Sequence, residues 1–250
     1  MRRPLTYAVW TLALVALVAP GGKAAEWGDL VGRIVFDGAA PTPANLNINK
    51  DLECCKVKHV DESLLVDSSG GLANVVLYCR DRNVAVHPDY DATATTEVVL
   101  DNTTCRFEPH VAVLRLTQTL VIRNSDTCGH NTNLQPLGDA GINPLIARDS
   151  EVRHKFNRAQ NIPVPASCNI HPWMKSYVLP RDNPYVTVSA ADGTFRIENL
   201  PAGPVEMQAW HETAGYVDTK QWPKGRFKVT IKAGTNDLGT IKLPASLFKK

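Results

Sequence analysis

What most constrains this chain is the absence of a sustained helical repeat. After residue 25, no stretch of twelve or more residues keeps apolar side chains at the 3.6-residue spacing of a helix face. Short alternating or β-branched runs recur instead. Val31–Phe36 reads V-G-R-I-V-F before the turn Asp37-Gly38, and Ala73–Cys79 reads A-N-V-V-L-Y-C. Val111–Ile122 carries two apolar stretches split by Thr117-Gln118-Thr119. Tyr185–Val188, Thr194–Ile197, Val205–Trp210, Arg226–Ile231 and Leu238–Leu243 continue the pattern. Turn residues separate them at Ala191-Asp192-Gly193, Pro201-Ala202-Gly203 and Ala233-Gly234-Thr235-Asn236. The pattern predicts an all-β, sandwich-like chain. Leu134–Pro165 is punctuated by Pro and Gly and predicts a long loop with one short strand, Val152–Phe156.

The first 25 residues read as an export signal. Arg2 and Arg3 precede an apolar run, Val9–Ala19; Pro20-Gly21-Gly22 break it, and Ala24-Ala25 suit cleavage. The run is short for a membrane span, so no stable membrane insertion is expected once the signal is removed. The expected location is periplasmic, extracellular or cell-envelope. The chain has 27 basic and 25 acidic residues, and loss of Arg2, Arg3 and Lys23 with the signal leaves a formal charge of −1. That balance gives no footprint for nucleic acid. Six cysteines in an exported chain suggest disulfides. With Cys168 set aside, Cys54, Cys55, Cys79, Cys105 and Cys128 are an odd number, so at least one stays unpaired or pairs outside the chain; Cys105 is a good partner for Cys54 or Cys55.

The segment richest in chemistry is Cys168-Asn169-Ile170-His171-Pro172-Trp173-Met174. It sets a thiolate, an imidazole and a thioether three residues apart on one short loop. Soft sulfur donors with imidazole suit a copper ion that cycles between two oxidation states, and the trigonal set needs a second histidine. Gly129-His130-Asn131 supplies one, after the strand Leu120–Asn124. Zinc fits less well, because thioether is a poor zinc ligand. A Cys/His nucleophile pair lacks a third orienting group.

C-x-x-H-x-x-M after an upstream His-Asn resembles the cupredoxins, and C-x-x-H-P-aromatic-M is most similar to amicyanin-type members. Leu114–Asp126 resembles the strand pair that ends in N-x-D before the first histidine of that family. The resemblance implies a Greek-key sandwich over 97–186 with one mononuclear copper. His130, Cys168 and His171 would be its equatorial ligands and Met174 its axial ligand. Asn131 would tie the first histidine to the cysteine loop. Pro172 and Trp173 would stiffen the loop and present an apolar patch beside His171 through which electrons pass. Cys128, two residues before His130, departs from the family and would compete for metal unless it lies in a disulfide.

Gly32–Gly38, Leu72–Leu77 and Ala191–Gly203 resemble a carboxypeptidase regulatory-like β-sandwich. The implied organisation is a small discontinuous sandwich, 26–96 plus 187–250, around the copper region. The expected function is one-electron transfer by a type 1 (blue) copper carrier, not an enzyme, working with a redox partner protein and no organic substrate. The competing expectation is an envelope interaction protein whose copper region is a scaffold or handles copper. Among other residues, His110 reads as a hydrogen-bonded structural histidine, His59 as no ligand, His154 as solvent-facing, and Trp210-His211-Glu212 as strand-end surface chemistry.

Overall fold

The computed structural model describes residues 26–249, so the segment expected to be an export signal, 1–25, lies outside the described residues. Within them the chain is almost entirely β-strand, with three short 3₁₀ turns, and folds as an all-β sandwich. No helix among the described residues is long and apolar enough to cross a membrane.

Two groups of sheets surround two apolar cores. In the first group, Trp27–Asp37 runs between Thr194–Pro201 (antiparallel) and Gly234–Pro244 (parallel). Facing it, Gly203–His211 pairs with Val76–Cys79, Arg226–Ile231 and Gly215–Tyr216. Alternation along Thr194–Pro201 sends Phe195 and Ile197 inward, and a register shift at Asn199 (φ +53°) turns Leu200 inward as well, where they join Leu30, Ile34, Leu77, Met207 and Phe227 in one core. The Asp192-Gly193 turn requires its glycine. Gly193 has φ +80°, and a Cβ there would sit 2.1 Å from the Ile34 carbonyl oxygen.

The second group holds the Cys168–Met174 loop. Glu97–Thr103 pairs in parallel with Thr119–Asn124, which also pairs with Ser150–His154. Opposite, Lys175–Arg181 lies between Val111–Arg115 (parallel) and Val164–Ser167 (antiparallel). Their inward residues, among them Leu100, Phe107, Leu120, Ile122, Val164 and Val178, form the second core with Cys168 and Met174. A smaller cluster of Val76, Tyr78, Val111, Leu179 and Trp210 joins the two groups.

Several expectations need correction. Ile48, Cys54 and Cys55 pack with the second core, although the sequence pattern puts 26–96 wholly in the flanking sandwich. The cause is covalent: Cys54–Cys128 and Cys55–Cys105 bridge this early segment to the second group of sheets. Tyr185, inside the expected 97–186 unit, packs in the first core. Trp210 and His211 are buried, because the strand they close lies against the joining cluster and Phe248. His154 is half-buried, its ring edge-on to Phe156. The strand expected at Val152–Phe156 runs two residues earlier, Ser150–His154, and the surrounding loop holds a further short strand, Leu145–Ile146.

Candidate metal centre

His130 sits on a two-residue strand, His130–Asn131, paired with Leu145–Ile146. Asn124 shapes the approach to it: its side-chain amide donates to the carbonyls of Cys128 (2.8 Å) and Ile146 (3.0 Å). Cys168 follows the strand Val164–Ser167, and the loop after it closes on itself. The Met174 N–H donates to the His171 carbonyl (2.9 Å), and the Cys168 N–H reaches the Met174 carbonyl (3.4 Å). Asn131 joins the two pieces, its Oδ1 accepting from the backbone N–H of Asn169 (2.8 Å) and Ile170 (3.3 Å).

These elements bring three donor atoms together. His171 Nδ1 lies 2.9 Å from His130 Nδ1, and the Cys168 sulfur lies 4.0 Å from the His130 nitrogen and 3.7 Å from the His171 nitrogen. All three residues are buried, His130 and His171 completely. Met174, on the same loop, is 1% exposed.

Each imidazole turns its far nitrogen to a carboxylate. His130 Nε2 is 2.9 Å from Asp126 Oδ2, and His171 Nε2 is 2.8 Å from Asp51 Oδ2. An ionised carboxylate only accepts, so both Nε2 atoms carry protons and both Nδ1 atoms turn inward. Two inward imidazole lone pairs at this distance require a cation between them, a proton or a metal. Without metal, burial disfavours charge on His130, but its bonds to Asp126 and Cys168 outweigh it and push the pKa up to about 9. Burial also opposes ionisation of Cys168, yet hydrogen bonding from His130 and neighbouring backbone groups holds the thiol below its ordinary value. Burial holds His171 below the usual histidine value despite Asp51.

The donor set fits a mononuclear soft-metal site. Metal–nitrogen bonds of about 2.0 Å and metal–sulfur bonds of about 2.3 Å set donor atoms roughly 3–4 Å apart, and the three donors all lie within 4.8 Å of one another. Cys128 is engaged in its disulfide with Cys54, although its sulfur is 3.6 Å from His130 Nε2. Besides Cys168, Cys79 is the cysteine left unpaired, buried in the first core at the end of the strand Val76–Cys79.

At the surface, Pro172 is exposed and Trp173 half-buried, while the His171 ring beside them is buried. Asp51 covers one side, and the Trp173 ring, 5.1 Å away, packs on another while its Nε1 donates to the Cys105 carbonyl (3.0 Å). Asp51 was not foreseen. Its one sequence signal is the adjacent pair Cys54-Cys55, which marks a doubly anchored segment without saying where it lands.

Next to the loop a cavity of about 190 Å³ is lined by Glu62, His110, Trp173, Met174, Tyr177 and Glu212. His110 Nε2 lies 2.5 Å from Glu212 and its Nδ1 lies 3.5 Å from Glu62, so three distant segments meet at one ring. His59 contacts the Thr104 carbonyl and stands outside the donor cluster.

The sequence matches no family model and no curated protein. Its structure neighbours are cupredoxins. Amicyanin from Paracoccus versutus is 18% identical, with a TM-score of 0.30, over 42% of this chain and 97% of amicyanin. The purple cupredoxin from Nitrosopumilus maritimus is 18% identical, with a TM-score of 0.28, over 34% of this chain and 98% of its own. The Cu-containing nitrite reductase (NirK) from Thermus scotoductus SA-01 is 19% identical, with a TM-score of 0.31, over 34% of this chain, which spans only 22% of the reductase.

Proposed function

We propose that this protein is an exported single-electron carrier that holds one copper ion through His130, Cys168 and His171, with Met174 as the axial ligand. The observation behind this reading is the convergence of two inward Nδ1 atoms and a thiol in a buried pocket, with each imidazole fixed from behind by a carboxylate. Copper bound there would supply reversible one-electron chemistry, and imidazole, thiolate and thioether together suit both of its oxidation states.

The surrounding residues keep that geometry fixed. Asn131 links the His130 strand to the Cys168 loop, so the ligands cannot separate without breaking two backbone hydrogen bonds to one amide oxygen. Leu134, Ile146, Phe156 and Ala166 are buried in the same apolar core as Cys168 and Met174, which keeps that side of the loop dry. A rigid, dry pocket holds nearly the same arrangement in both redox states, which is what a carrier requires. The two disulfides agree with an oxidising compartment outside the cytoplasm. The two cores fit an organisation as a copper unit within a discontinuous β-sandwich. Electrons would pass to a partner protein; no organic substrate is assigned.

Redox cycling tests the assignment. Protein loaded with one equivalent of Cu(II), reduced with ascorbate and reoxidised with ferricyanide, is expected to keep its copper and recover its spectrum over repeated cycles. Loss of the metal on reduction would contradict a carrier and favour copper handling.

A further inference from the structure

Residues 50–55 reach the metal centre from far away in sequence and are held there on several sides. Cys54 and Cys55 are disulfide-bonded to Cys128 and Cys105, both beside the His130 loop. The N–H groups of Cys54 and Cys55 both donate to the Asp51 carbonyl, each at 2.8 Å. Asp51 itself has φ +47°, the left-handed conformation that aspartate tolerates better than most residues. Lys50 reaches the Ile170 carbonyl at 3.4 Å. This tight turn delivers one functional group, the Asp51 carboxylate, to His171 Nε2.

The other histidine has a matching arrangement. Asp126 accepts from the N–H groups of Thr104 (2.6 Å) and Cys105 (2.7 Å) while bonding His130 Nε2. Cys105 is the cysteine that anchors Cys55, so both carboxylates belong to one disulfide-bonded knot.

We propose that residues 50–55 form a disulfide-anchored strap, and that Asp51 and Asp126, acting through the far nitrogens of His171 and His130, set the redox preference of the copper site toward Cu(II). This rests on the copper reading above. A carboxylate behind a ligating imidazole fixes its tautomer and makes the ring a stronger donor. Two such anions also favour the more highly charged metal state by direct attraction. Asp51 and Asp126 are positioning residues: neither needs to touch the metal. Their side chains are 49% and 9% exposed, so water screens Asp51 more than Asp126.

The test compares copper-loaded wild type with Asp51→Asn and Asp126→Asn by spectroelectrochemical titration. Asparagine keeps the size and one acceptor but removes the charge. Asp51→Asn is expected to retain the wild-type visible spectrum while shifting preference toward Cu(I) at least tenfold, about 59 mV for a one-electron couple. Asp126→Asn is expected to shift it further in the same direction. Because Asp126 also holds two backbone N–H groups, that variant can lose its fold, and Asp51→Asn then decides alone. A potential for Asp51→Asn within twofold of wild type in this preference overturns the proposal while leaving the copper site intact. A wild type with no copper couple at all overturns the copper reading, and this inference with it.

Discussion

At the scale of single residues, the chain concentrates its electrostatics where distant segments meet. His110 shows this away from the proposed metal ligands. Burial disfavours its charge, but Glu212 and Glu62 on opposite ring nitrogens outweigh that and push its pKa up to about 9. Arg106 stands behind Glu62 at 3.0 Å, and Tyr177 packs against the ring. A histidine whose folded pKa exceeds its unfolded value of about 6.5 stabilises the fold fully below that value. The contribution disappears as pH rises through about 9. Its size is on the order of 3 kcal/mol, since each tenfold gain in proton affinity on folding is worth about 1.36 kcal/mol. Urea midpoints of metal-free wild type are therefore expected to fall between pH 6 and pH 10, and His110→Gln should show a distinctly smaller fall, the remainder coming from His130, whose pKa is also raised to about 9. Parallel pH profiles for the two proteins would show that the paired carboxylates do not hold a charged ring.

At the scale of elements, the ligand loop and the strap differ in how the sequence encodes them. Cys168, His171 and Met174 lie within one loop, and the spacing of their side chains alone puts three donors on one short turn. His130 was within reach because a strand of clear β pattern, Thr119–Asn124, ends just before it. The strap had no such signal. Asp51 lies 120 residues from His171, and only a disulfide pairing that sequence cannot specify brings it there. The His110–Glu212 contact was hidden for the same reason, being 102 residues apart and formed by packing between sheets. Closing the 50-residue separation of Cys55–Cys105 contributes about 4 kcal/mol in the chain-entropy account. The double variant Cys55→Ser/Cys105→Ser is expected to lose about 2–4 kcal/mol in urea unfolding. It should still bind copper, since no ligand is altered. Loss of copper binding in a folded double variant would mean that the strap holds the site together and does more than cover it.

At the scale of the whole molecule, two apolar cores share the cluster of Val76, Tyr78, Val111, Leu179 and Trp210. The buried Arg181 reinforces that seam, donating to the carbonyls of Gln160 (2.6 Å) and Cys79 (2.9 Å) with its guanidinium 4.5 Å from the Tyr78 ring. The all-β class was legible because alternation and turn residues survive in nearly every strand. The division of residues between cores was less so. Residues 48–55 leave their neighbours in sequence to pack with the second core beside the candidate metal site, and no local pattern marks that crossing. The strands of the second core nevertheless converge on one arrangement, in which a cysteine and two histidines face each other and are buried. The most direct test of its meaning is the absorption spectrum of residues 26–250 after one equivalent of Cu(II), measured beside Cys168→Ser. The copper-thiolate assignment predicts an intense visible charge-transfer band in the wild type and none in the variant. A colourless wild type, or a band that survives the loss of Cys168, would contradict it.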